Sequence, residues 1–175
     1  MRYSLVYGGL AGIIIIVVST AFVTAGLLGH SSSPLMGYLA MLVGLTMIFV
    51  GVKRYRDAEQ GGVITFGKAL IVGLGISLIA AIIYAAAFEI YAALSGFDLT
   101  THFSEITQRE MQAVGASPSE IEAELTALRE FGESYRNPLV RIPIHFLEIG
   151  PVCLLVSLVS AAILRNPRVL PARAA

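Results

Sequence analysis

Apolar residues crowd this chain into four long runs, and most of the charged residues collect between them. The runs extend from about 5 to 28, 35 to 52, 69 to 94 and 142 to 164. Each reaches the length of about 18 residues or more that carries an α-helix across a bilayer core. The third, Ala69 to Leu94, holds a single charge, Glu89. At 1.5 Å of rise per residue it spans roughly 39 Å. The pattern predicts an all-α fold, a polytopic integral membrane four-helix bundle. The first run outlasts the apolar core of about 7 to 15 residues found in signal peptides, so it is expected to persist as an anchor.

The stretch from 95 to 141 follows another rule. Phe97, Leu99, Phe103, Ile106 and Val114 form a loose helical stripe that Gly115 closes. Ser117, Pro118, Ser119 and Glu120 then make a capping box, with proline at the first helical position. Ile121, Leu125, Leu128, Phe131 and Tyr135 recur at helical spacing until Asn137-Pro138. An extramembrane amphipathic two-helix hairpin is therefore expected between spans three and four. It is acidic, and amphipathic helices that lie on anionic membranes are usually basic. A lid over the bundle is the first expectation for it, and a surface for docking a partner the second.

Four spans put both termini on one side. That side would carry Arg2, Lys53, Arg54, Arg56, Lys68, Arg165, Arg168 and Arg173, while the short loop around His30 has neither Lys nor Arg. The bias of basic residues toward the cytoplasm places both termini there and the hairpin outside. A bacterial inner membrane is the expected location.

Small residues mark where helices approach in lipid, because no hydrophobic effect drives them together. Span one opens with Gly8 and Gly12, and span two repeats Gly37, Gly44 and Gly51 every seven residues. Gly73 and Ser77 belong to a small ridge on span three, from Ala69 to Ala93 at every fourth position, on which Glu89 also sits. Gly150 and Ser157 share a face of span four with Cys153. These positions are expected to be packing seams. Because Glu89 lies on its ridge, its carboxyl should face protein.

Intramembrane ionisable groups are the remaining candidates for chemistry. Glu89 and Glu148 lie at similar distances from the external ends of their spans. Arg141, His145 and Glu148 share one helical face, and Tyr84 and Tyr91 supply hydroxyls on span three. The set suggests a polar clasp between spans three and four. The other reading is an outward-facing site for a proton, a small cation or a polar solute.

Between spans two and three, Arg54, Tyr55, Arg56 and Asp57 read as a charged turn, with Gly61 and Gly62 marking the bend. The tail after Leu164 reads as a short solvated anchor.

Composition sharpens the class. Of 175 residues, 56% are hydrophobic, and none is tryptophan. Mean hydropathy is +0.78, above the range of ordinary soluble domains. The single cysteine, Cys153, excludes an intramolecular disulfide. His30, His102 and His145 are too scattered for a metal motif, and no hydrolase or phosphate-loop motif is present. Neither a cofactor nor a nucleic-acid partner is expected, and no enzymatic activity. The expected partners are the lipid bilayer and either a second copy of the chain or another membrane protein.

Several spaced motifs resemble the DUF4199 family of bacterial membrane proteins: ArgTyrArgAsp at 54–57, GlyGly at 61–62, IleThrPheGlyLysAla at 64–69, TyrArgAsnPro at 135–138 and PheLeuGluIleGlyProVal at 146–152. The resemblance covers nearly the whole chain. It implies four spans with a long loop before the last. Glu148 falls on the glutamate of that last motif, and Gly150 stands where Phe is more usual. The family has no assigned activity, so the resemblance bears on the fold and leaves function open.

Overall fold

The computed structural model describes residues 1–25, 34–96 and 98–172. Among them there are six α-helices and no strand: α1 (Arg2–Thr24), α2 (Pro34–Glu59), α3 (Phe66–Ser95), α4 (Leu99–Ala113), α5 (Pro118–Tyr135) and α6 (Pro138–Leu164). Helices α1, α2, α3 and α6 are long and apolar enough to cross a membrane. The protein is a polytopic helical membrane bundle. The end expected for the first span at residue 28, together with His30 and Phe97, lies outside the described residues.

Helix boundaries move outward where nothing in the chain breaks the helix. Span two does not stop at Val52. It continues through Lys53–Glu59, where Lys53 donates to Asp57 at 2.5 Å one turn on. Arg54, Tyr55, Arg56 and Asp57 are thus helical, not a turn. The bend is confined to Gln60–Thr65, where Gly61 and Gly62 take φ of 59° and 86°, values an L side chain seldom adopts. Thr65 caps α3 and starts it at Phe66. Asn137 caps α6, and Pro138 takes its first turn, so Arg141 belongs to α6 and not to the loop.

In the bundle, α1 packs against α2 and α3, α6 packs against α3 and α2, and α2 meets α3 across the middle. Ile15, Leu45, Ile48, Val52, Ile76, Ile149 and Leu164 fill the core. Most of the expected seams exist. A methyl placed on Gly8 would lie 2.7 Å from the Ile76 carbonyl oxygen, and one on Gly12 2.6 Å from Ile83. Gly44 lets α2 approach the Ala11 carbonyl of α1, where an added Cβ would sit at 2.8 Å. Gly51 meets Tyr7, and Gly73 meets Ser157. The Ser77 and Ser157 hydroxyls join α3 to α6 at 3.0 Å. Gly37 and Gly150 differ: among the described residues nothing lies within 4 Å of a methyl placed on either.

Helices α4 and α5 form the hairpin, and both halves of the capping box at Ser117 and Glu120 are present. Serine hydrogen bonds hold the Glu120 carboxyl below the usual carboxylate range. Among the described residues, the hairpin's helices pack on each other and meet the bundle at the α5–α6 junction, without covering α1 or α2 as the expected lid would.

Candidate functional site

Where α3 and α6 approach the hairpin, the sequence has placed nearly all of its intramembrane polarity. Asn137 and Pro138 set the start of α6, and that start points Arg141 back across the interface. Arg141 donates Nε to Glu89 Oε1 at 2.7 Å and Nη2 to Glu89 Oε2 at 2.5 Å. The paired fork matches the two carboxylate oxygens and satisfies both. Its guanidinium also lies 5.7 Å from the centre of the Tyr135 ring, within cation–π range. Glu89 therefore faces protein, as its place on the small ridge implies.

Glu148 lies deeper and has other partners. Tyr84 donates to its Oε2 at 3.3 Å, and His145 Nδ1 stands 3.7 Å from the same oxygen. Tyr84 and Glu89 are separated by roughly 7.5 Å of helix rise. The two carboxylates are thus on different levels, in contrast to the equal depths expected from counting residues. Antiparallel helices bring together positions whose numbers sum to a near-constant, so 84 meets 148 and 89 meets 141.

His145 is 2% exposed and sits in an aromatic enclosure. Its ring centre is 4.3 Å from Phe88, 5.7 Å from Tyr84 and 6.2 Å from Tyr135. Nε2 and the Tyr135 hydroxyl are 3.5 Å apart. Nδ1 is buried without a hydrogen-bond partner. Burial, and next the Glu148 charge, push the Tyr135 phenol up to about 12. Tyr135 thus ends the hairpin inside the site, touching α3 and α6 alike. It and Phe88 were not singled out beforehand. The apolar stripe on α5 was the available signal for Tyr135. Tyr91, a candidate from the sequence, is half exposed, with its ring centre 6.2 Å from that of Phe88.

Beside Glu89 lies a cavity of about 290 Å³, lined by Ile82, Ala85, Ala86, Glu89, Ile142 and Phe146. Its walls are apolar apart from a carboxylate already engaged by Arg141. No group of three metal-ligating side chains forms among the described residues.

A second polar cluster closes the opposite end. Arg56 is fully buried and donates to the carbonyls of Val169 at 3.0 Å and Leu170 at 2.5 Å, and to Asp57 at 2.8 Å. The tail is therefore not a solvated anchor. It folds back over the bundle and covers the guanidinium, with Leu170 bent to a φ of 47°.

A family model described as a protein of unknown function, DUF4199, matches residues 6–166. No curated protein matches the chain, and no solved structure does.

Proposed function

The chain belongs to the DUF4199 family, whose function is unassigned, and we propose that it is an interaction or assembly protein of a bacterial inner membrane, not an enzyme. The carrying observation is that, among the described residues, the hairpin meets the bundle only through α3 and α6 and presents an exposed outer surface. That surface is acidic: Glu105, Glu110, Glu122, Glu124, Glu130 and Glu133 are exposed. The clasp of Glu89, Arg141 and Tyr135 fixes the base of the hairpin, so the acidic face is held at a set angle. The partner expected is a membrane protein, or a second copy, with a basic extramembrane patch. Basic residues at the end that carries both termini support a cytoplasmic location for them and an external hairpin.

Photo-crosslinking side chains introduced at the exposed neighbours Ala123 and Ala127 in intact cells test this reading. One reproducible adduct, lost when Glu122, Glu124 and Glu130 are changed to Lys, is the expected result. Recovery of the uncrosslinked chain alone from both positions would refute it.

The unpartnered Nδ1 of His145, 3.7 Å from Glu148, favours a second reading, proton handling at this site. Proton flux into vesicles that depends on both His145 and Glu148 would support it. Equal flux with and without the protein would remove it.

A further inference from the structure

At the end carrying the termini, α1 and α2 together line a cavity of about 270 Å³, through Arg2, Tyr3, Val6, Tyr7, Arg54 and Ala58. Two guanidiniums from different helices face one space. The other basic side chains nearby are spoken for: Arg56 is buried under the tail, Lys53 holds Asp57, and Lys68 donates to Gln60. Arg2 and Arg54 carry no comparable ion pair among the described residues. Glu59 accepts the Tyr3 hydroxyl at 3.1 Å.

The wall beside them is aromatic. Tyr3 stacks on Tyr7 with ring centres 6.3 Å apart and meets Tyr55 edge-on at 5.4 Å. Tyrosines of this kind collect at the level of lipid headgroups. Below the cavity, Val6 begins an exposed stripe that continues through Leu10, Ile13 and Val17 along α1. Phosphate chemistry at the top thus runs directly into an acyl-chain path below. A freely diffusing phosphate would use only the upper half.

We propose that this cavity binds the phosphate of an anionic phospholipid headgroup, with Arg2 and Arg54 as paired donors and one acyl chain along Val6, Leu10, Ile13 and Val17. Arginine suits the task because its planar fork meets two phosphate oxygens at once. The Tyr3–Tyr7 stack holds α1 in place beside the headgroup.

Native mass spectrometry of the detergent-purified protein tests it, with phosphatidylglycerol, phosphatidylcholine and glycerol phosphate as probes. The wild type should retain phosphatidylglycerol in preference to phosphatidylcholine. Arg2→Gln with Arg54→Gln should lower that retention about tenfold or more, the effect of losing roughly 1.4 kcal/mol of binding. Ala58→Phe, which fills the cavity and leaves both charges, should lower it as well. Arg165→Gln with Arg168→Gln removes two charges from the same end and should change little. Glycerol phosphate should bind far more weakly than the lipid. Equal retention by wild type and both cavity variants would overturn the site. Binding of glycerol phosphate as tight as the lipid would overturn the lipid assignment in favour of a soluble phosphate.

Discussion

Arg141 on α6 grips Glu89 on α3 with two nitrogens, at 2.7 and 2.5 Å, and both side chains keep some contact with the surface, 13% and 24%. Partial burial decides what the pair does. Fully exposed, it would be worth under about 1 kcal/mol. Fully buried, its desolvation would consume most of the attraction. At this interface the pair fastens two helices at the base of a projecting hairpin, and Tyr135 packs over it.

Glu89→Gln should destabilise the detergent-solubilised protein by about 1 to 3 kcal/mol, because Arg141 would be left underpaired in a mostly buried position. Arg141→Leu should cost a similar amount, and the two together clearly less than their sum. Glu148→Gln should change stability less than Glu89→Gln, since the contacts of Glu148 with Tyr84 and His145 are long. Thermal unfolding of the four variants would read all of this. Additive losses from Glu89 and Arg141 would show that they act separately.

Arg56 carries the second prediction. Its guanidinium is wholly buried beneath residues 164–170, which supply three carbonyl acceptors. Arg56→Leu should cost about 3 kcal/mol or more, since buried acceptors are left unsatisfied and Asp57 loses a partner. It should also release the tail. Limited proteolysis would then cut after Arg165 or Arg168 in the variant and spare the wild type. Equal resistance in both would show that the tail is held by something else.

Spans, hairpin and capping box were readable from the chain because each is local. A run of apolar residues, a SerProSerGlu sequence or a Gly-Gly bend acts within a few positions. The Glu89–Arg141 clasp was half readable: helical faces gave the candidates, but not which carboxylate meets which cation. That depends on the stagger of two antiparallel helices. Arg56 was misread for a different reason. Its acceptors are backbone carbonyls 113 and 114 positions away, and every residue has a carbonyl, so no side-chain pattern marks them. The tail itself is polar and proline-containing, which by composition reads as solvated.

Acid should loosen the hairpin at its root. Arg136 donates to Asp98 at 2.7 Å, and that guanidinium, with the Thr101 amide next, holds the Asp98 carboxyl below its ordinary value. A carboxyl lowered in the folded state binds fewer protons there than in the unfolded chain. Its contribution is therefore present above the unfolded value of about 4 and is lost as pH falls through the lower folded value. Both side chains touch solvent, so the effect should be small and weaker in high salt. Hydrogen exchange at the start of α4 should rise between pH 5 and pH 3 relative to α3. Asp98→Asn should raise it at both values and abolish the difference, whereas a pH response surviving in that variant would assign it elsewhere.

The glycine repeat of α2 offers a contrast within one helix. Gly37 and Gly44 are a heptad apart and look equivalent in the sequence, but among the described residues only Gly44 has a neighbour. An added methyl there would meet Ile15 and come within 2.8 Å of the Ala11 carbonyl, which belongs to a backbone that cannot swing aside. Relief requires α1 and α2 to separate along their whole seam, so Gly44→Ala should cost about 1 to 3 kcal/mol. At Gly37 nothing lies within 4 Å of the new atom. The substitution then removes backbone freedom from the unfolded chain and adds a better helix former, for a gain of about 0.5 to 1 kcal/mol. The pair of variants should therefore shift thermal unfolding in opposite directions. A loss at both positions would mean that Gly37 also faces a helix in the membrane, and a second copy of the chain would be the first candidate to supply it.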